Sequence, residues 1–234
     1  LYKNDGFLNS MLTPVIKAKK GAQRLQFYSV KDYEKWKESS TGNWHIKYYK
    51  GLGTSTPQEA REYFKELKIV NYGTTADNDE ISINLAFAKE KNSASLRKDW
   101  LKDYNRDNTL DYSSKSVSME EFINLDLIHF SNSDNIRSIP SVIDGLKPSQ
   151  RKILYCCFKK NLKSEIRVAQ LAGYVSENGA YHHGEASLQG AIVNMAQDFV
   201  GSNNINLLQP VGQFGTRLQG GKDAAQSRYI HTLL

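Results

Sequence analysis

The stretch SQRKILYCCFKKNLKSEIRVAQLAGYVSENGAYHHGEASLQGAIVNMAQDFV (149–200) decides the fold of the second half of the chain. It reads as three helical segments. Ser149 to Lys160 places Ile153, Leu154, Cys157 and Phe158 on one face, and Ser164 to Ser176 places Ile166, Ala169, Leu171 and Ala172. After the turn NGAYHHG, Glu185 to Val200 carries Leu188, Ile192, Met195, Ala196 and Phe199 at the spacing of an amphipathic helix, with Glu185 favourable to the dipole of its first turn. Two short helices, a glycine-containing turn and a longer helix fit a helix-turn-helix. Beyond it, INLLQP (205–210) is β-prone, and the glycine-rich GQFGTRLQGGKD (212–223) suits a hairpin wing or an exposed loop.

Working outward, the first half has an α/β pattern. RLQFYSV (24–30) alternates like a strand, KDYEKWKES (31–39) is a short helix, and WHIKYYKG (44–51) is a second strand running into the loop KGLGTST. Thr56, Pro57 and Glu59 make a helix start: an N-cap, a proline at the first helical position and a capping-box glutamate at the third. That helix is expected to continue through AREYFKELKI (60–69). NYGTTADNDE (71–80) reads as a polar loop, ISINLAF (81–87) as a strand and KNSASLRKDWLKDYNRD (91–107) as a charged helix. The acidic run Asp77-Asn78-Asp79-Glu80 is expected to be solvated rather than metal-binding. The predicted organisation is an α/β domain over 1–107, a connector over 108–123 and a mainly α winged-helix (helix-turn-helix) domain over 124–234.

The 234 residues suffice for one large or two small cores, and ordinary fractions of hydrophobic (39%) and charged (24%) residues exclude wholesale disorder. No apolar run is long enough to span a membrane, and the first twenty residues lack the apolar centre of a signal peptide. The opening Leu1, without methionine, leads us to expect a fragment of something longer. Cys156 and Cys157 are neighbours on a helix and cannot staple distant segments, which fits a reducing compartment and two small apolar core residues. The net charge of +6 is uneven. Residues 137–234 hold 11 basic against 6 acidic side chains, whereas 1–136 hold 20 against 19. A polyanionic partner on the C-terminal side follows, although a basic solvated face explains the same numbers.

Helix starts and flanking basic residues grip phosphates, so Lys147, Arg151 and Lys152 on one side, and Arg217, Lys222 and Arg228 on the other, are candidate contacts. His182 and His183 in YHHGE have no further His or Cys at a zinc-like spacing, and they suit hydrogen bonding to phosphate oxygens better than structural zinc. The KGLGT loop lacks the spacing and GK[ST] ending of a phosphate-binding loop, so a tight turn is its simpler reading. Tyr229 follows a flexible glycine entry and sits beside Arg228. A tyrosine nucleophile must lose a proton from a group with an ordinary pKa of about 10, and a guanidinium stabilises phosphoryl transition-state charge.

Several blocks, in order, resemble the eukaryotic-type type IIA DNA topoisomerases: TPVIKA (13–18), HIKYYKGLGTSTPQEAREYF (45–64), FSNSDNIRSIPSVIDGLKPSQRKILY (130–155), RVAQLAGYVSE (167–177), AYHHGEASL (180–188) and AQDFVGSNNINLLQPVGQFGTRLQGGKDAAQSRYI (196–230). The resemblance implies the C-terminal part of a TOPRIM domain followed by the start of a winged-helix domain from the breakage-reunion core. It implies Tyr229 as the nucleophile that holds a 5′ DNA end as phosphotyrosine, with Arg228 stabilising the transition state. Arg97, Lys98, Lys147, Tyr181 and Ser187 match DNA-contacting positions, and His182 and His183 match residues close to the scissile phosphate.

The same resemblance implies double-stranded DNA as partner, a homodimeric parent in the nucleus, and Mg2+ and ATP as cofactors whose ligands lie outside this chain. Three readings compete: a DNA-cleavage region, a non-enzymatic helix-turn-helix regulator, and an RNA- or scaffold-binding basic protein. A regulator needs no exposed nucleophile, and no RNP-type motif is present, so the first is favoured. Alone, the chain is expected to bind DNA weakly and not to cut it.

Overall fold

The computed structural model describes residues 4, 6–73, 78–181 and 183–234. The chain divides into two compact units, Leu1–Asn132 and Ser133–Leu234.

In the first unit, β1 (Leu8–Met11) precedes a meander of β2 (Ile16–Lys20) and β3 (Gln23–Phe27). α1 (Val30–Ser39) starts at Ser29, whose hydroxyl accepts from the Asp32 amide, and β4 (His45–Tyr48) returns to pair with β2. In the sheet β3-β2-β4, Ile16 and Ala18 are buried, and Phe27 meets Tyr33 and Trp36 of α1 with ring centroids 5.5 and 5.1 Å apart. The opposite face pairs Lys17 with Gln26 and Lys47, and Lys19 with Arg24 and His45. α2 (Pro57–Lys65) has the expected start: Thr56 Oγ1 accepts from Glu59 N, and the Glu59 carboxylate accepts from Thr56 N at 2.8 Å. Glu59 also takes Lys47 at 3.1 Å, Lys17 at 3.4 Å and the Tyr49 hydroxyl. Burial alone would raise the Glu59 pKa, but these donors outweigh it and hold the carboxyl down at about 2.

Three expectations for this unit are corrected. α2 ends at Lys65, and Ile69–Gly73 is a strand, β5, where the sequence suggests a helix end and a loop; Val70 and Tyr72 point into the core, opposite β1. Residues 81–87 belong to a helix, α3 (Asp79–Phe87), not to a strand. Seven alternating residues do not settle the period. Acids in the first turn and the Asp79 carboxylate, which accepts from Glu120 N at 2.9 Å, anchor a helix that leaves Ile81 and Phe87 exposed. Of the acidic run, Asp77 lies outside the described residues and Asp79 is buried rather than solvated.

The third correction concerns the connector. After α4 (Ser93–Lys102), the strand β6 (Ser116–Ser118) pairs parallel with β5, and α5 (Met119–Phe122) passes through a π-helical turn (Ile123–Leu127) into α6 (Ile128–Ser138). Leu110, Val117 and Met119 pack with Val70 and Tyr72. Residues 108–123 are therefore core of the first unit, because their serines and aspartates serve turns and caps around buried apolar positions.

The second unit has α7 (Pro148–Lys160), β7 (Ile166–Arg167), α8 (Val168–Asn178), α9 (Glu185–Ala196), β8 (Gln209–Val211) and β9 (His231–Leu233), with sheet order β7-β9-β8. Its core joins Ile153, Cys156 and Cys157 of α7, Leu171 and Val175 of α8, and Leu188 and Ile192 of α9 with Phe214 and Ile230. The inward face of α7 is thus 153, 156 and 157. Phe158 is turned about 100° away from Cys157 and is exposed, contrary to expectation. Ile166 is taken by the sheet, opposite Thr232, so α8 starts later than the sequence indicated. α9 stops at Ala196, short of Phe199. Both cysteines are free and buried, and burial pushes the Cys157 thiol up to about 11.

Candidate nucleic-acid interface and nucleophile

Tyr229 stands at the end of residues 212–230, the long connection between the antiparallel strands β8 and β9. Its ring is 66% exposed, and the Arg228 guanidinium lies 4.9 Å from the ring centroid. The glycine-rich segment is not the flexible entry expected. Thr216 N and its hydroxyl donate to the Asp223 carboxylate at 2.8 and 2.7 Å, Gly221 N donates to Thr216 O at 2.9 Å, and Ala225 N donates to Gln213 O at 2.9 Å. The Gln197 amide, buried at the end of α9, donates to Phe214 O at 2.9 Å. Gly215 has φ +101°, and a Cβ there would come within 2.6 Å of Gly221 Cα, so glycine permits the two backbone strands to touch.

The last residues of this segment are tied to both helices of the α8–α9 pair. Ala169 N donates to Ser227 O at 3.1 Å and Val168 N to Ile230 O at 3.0 Å, so two of the free amides at the α8 N-terminus hold the residues flanking Tyr229. The Ser227 hydroxyl donates to Gln189 Oε1 of α9 at 2.6 Å. The nucleophile candidate is thus fixed by backbone bonds on each side while its hydroxyl end remains open to a ligand.

The turn between α8 and α9 carries Tyr181, His183 and Ser187. Tyr181 is buried, its hydroxyl shares a hydrogen bond with Ser187 Oγ at 3.1 Å, and its ring meets His183 edge-on at 5.6 Å. His182 lies outside the described residues. At the start of α7, Gln150 Oε1 accepts from Lys147 N at 2.8 Å, and among the described residues the half-buried Lys147 ammonium has no ion-pair partner.

Two basic residues expected to face phosphate are engaged within the unit instead. Arg151 makes a two-pronged pair with Asp144, both contacts at 2.9 Å, which lowers the Asp144 pKa; Lys152 donates to Ala180 O at 2.6 Å. Arg217, Lys222 and Arg228 remain exposed.

In the first unit, Arg97 donates through Nε to Leu85 O at 3.0 Å and through a terminal nitrogen to Ala88 O. It closes the carbonyl end of α3, a role the sequence reading missed because a basic residue nine to twelve positions after the acceptors carries no local signal. Lys98 beside it is exposed.

A family model described as the C-terminal associated domain of TOPRIM matches residues 11–135, and one described as DNA gyrase/topoisomerase IV matches residues 137–234. Chicken DNA topoisomerase 2-beta is 51% identical over 98% of this chain and 15% of its own length. DNA topoisomerase 2 of Plasmodium falciparum is 50% identical over 100% of this chain and 17% of its own length. The chain belongs to the type IIA DNA topoisomerases. A crystal structure of the Plasmodium falciparum topoisomerase II DNA-binding, cleavage and re-ligation domain superposes with a TM-score of 0.80 at 50% identity, covering 100% of this chain and 32% of that one. The two units are accordingly a TOPRIM-associated domain and the DNA-binding domain of a type IIA topoisomerase. The chain spans about a sixth of the length of the curated topoisomerases it matches.

Proposed function

We propose that this chain is the part of a type II topoisomerase that grips a DNA duplex and cuts one strand with Tyr229. The observation that carries the reading is an exposed tyrosine with a guanidinium against its ring, on a segment bonded to two helices. The Tyr229 oxygen attacks a DNA phosphorus and gives up its proton to solvent or a neighbouring base. The new bond is P–O(Tyr229), the broken bond is P–O3′, and the 3′ oxygen leaves and takes up a proton. Arg228 stabilises the charge on the equatorial oxygens. Religation is the reverse: the 3′ hydroxyl attacks the phosphotyrosine, and because one phosphoester replaces another, resealing requires no ATP.

The second unit works as a winged helix in this reading, with α8 and α9 as its helix-turn-helix and the 212–230 connection as its wing. Lys147, Tyr181, Ser187, His182 and His183 hold the duplex around the scissile phosphate, and Lys98, presented by a helix that Arg97 braces, adds a contact from the first unit. Two copies act together in the nucleus, one tyrosine per strand, to let a second duplex through.

Mg2+ and ATP serve the whole enzyme. Among the described residues no group of three or more His, Cys, Asp or Glu converges as a metal site, and the glycine loop 50–54 lacks a nucleotide cradle, so neither is assigned to this chain. The test is covalent trapping. The full-length enzyme carrying this chain is mixed with end-labelled duplex and magnesium and quenched with detergent. A DNA-linked band that vanishes in Tyr229→Phe is expected; a band that persists overturns the assignment.

A further inference from the structure

Lys152 sits in the first turns of α7, where a basic side chain is expected to reach for a phosphate. Its ammonium is instead committed to the Ala180 carbonyl at 2.6 Å, a short, charge-assisted bond. The acceptor is unusual. Ala180 has φ +46°, and among the described residues the only other non-glycine with positive φ is Asn161, the C-cap of α7 and a residue type suited to that region. An alanine has no polar side chain to support a left-handed backbone, so its surroundings must hold it there. They do so on both sides. Gly179 N closes on Val175 O at 2.8 Å, and Tyr181, the next residue, is buried with its hydroxyl on Ser187.

We infer that Lys152 is a positioning residue: by holding Ala180 in the left-handed region, its ammonium sets the turn that presents Tyr181 and His183 at the entrance to α9. The inference rests on the cleavage role proposed for Tyr229. The turn bears on that residue because α9 follows it directly, and Gln189 of α9 accepts the Ser227 hydroxyl two residues before Tyr229. A slackened turn lets α9 shift, and Ser227 shifts with it. Lys152 therefore acts on the tyrosine through the backbone, without touching DNA.

The experiment compares four full-length enzymes: the unaltered protein, Lys152→Met, Ala180→Gly and the double variant. Glycine adopts positive φ freely, so it removes the need for the lysine. At saturating duplex, Lys152→Met is expected to slow adduct formation by about tenfold, equivalent to about 1.4 kcal/mol, with the duplex Kd changed by less than about twofold. In the Ala180→Gly background the same substitution is expected to cost under about twofold, and Lys152→Arg, which keeps a cationic donor, is expected to retain most of the rate.

A weaker Kd, a salt slope lower by about 0.9 and no rescue by Ala180→Gly would mean that Lys152 contacts phosphate directly, and would overturn the inference. Equal adduct rates in all four proteins would overturn it too. An unaltered enzyme that forms no adduct refutes the cleavage reading instead. The double-mutant cycle in thermal stability, on the same four proteins, still decides the lysine's role, with coupling expected between Lys152→Met and Ala180→Gly and additivity overturning it.

Discussion

Gly215→Ala tests whether the loop that presents Tyr229 is held by its own packing. At φ +101° an L-residue is strained, at a cost of about 1–2 kcal/mol. The added Cβ would also lie 2.6 Å from Gly221 Cα and 2.7 Å from Gly221 O. These are backbone atoms, fixed by the Gly221 N to Thr216 O bond, so no rotamer change relieves the contact and overpacking adds about 1–3 kcal/mol. The stiffer unfolded chain returns about 0.4–1 kcal/mol at most. A net loss of about 3 kcal/mol raises the opened fraction of the second unit roughly 10²-fold, at about 1.4 kcal/mol per decade.

The sequence supplies its own reporters for this change. Cys156 and Cys157 are buried in the second unit, while the three tryptophans, Trp36, Trp44 and Trp100, all lie in the first. Under native conditions with rapid reclosing, the rate of thiol labelling is expected to rise roughly 10²-fold, with the tryptophan fluorescence transition unmoved. An unchanged labelling rate would refute the packing argument.

Glu59 is held down at about 2 by Thr56 N, the Tyr49 hydroxyl and two lysines, against an unfolded value of 4.5. A depressed carboxylate stabilises fully above its unfolded pKa and loses that contribution as pH falls, so the first unit should weaken between about pH 4.5 and 2. Glu59→Gln should remove that acid dependence and, discounted for solvent screening, cost on the order of 1–2 kcal/mol at neutral pH, measured by tryptophan fluorescence in urea. Lys147→Ala is expected to weaken duplex binding alike for unrelated sequences and to lower the salt slope by about 0.9; a sequence-selective loss would point to base readout. Arg228→Ala should cut the rate of adduct formation by about 10²–10³-fold while changing duplex Kd far less, and an equal loss in both would remove its transition-state role.

Signals that depend on a few adjacent residues were legible in the sequence. The Thr56–Pro57–Glu59 start of α2 and the core stripe Leu188, Ile192, Met195 and Ala196 of α9 stand as read. What was illegible is decided by distant partners. Residues 81–87 alternate like a strand, but the contact that settles them comes from Glu120, across some forty residues. The polar-looking run 108–123 holds core residues whose neighbours are on β5. Arg151 and Lys152 were sound candidates for phosphate by charge alone, yet Asp144 and Ala180 claim them. Glycine-rich composition implied freedom around Tyr229, whereas each of those glycines is read correctly only beside the backbone it admits, as Gly215 is beside Gly221.

The central claim is that one tyrosine among thirteen forms the bond to DNA. The most direct measurement is to trap the adduct of the full-length enzyme, digest the protein and the DNA, and locate the residual nucleotide by mass spectrometry. The account predicts a 5′-linked nucleotide on the peptide containing Tyr229 and on no other tyrosine. A nucleotide on a different residue, or one linked through its 3′ end, would contradict it.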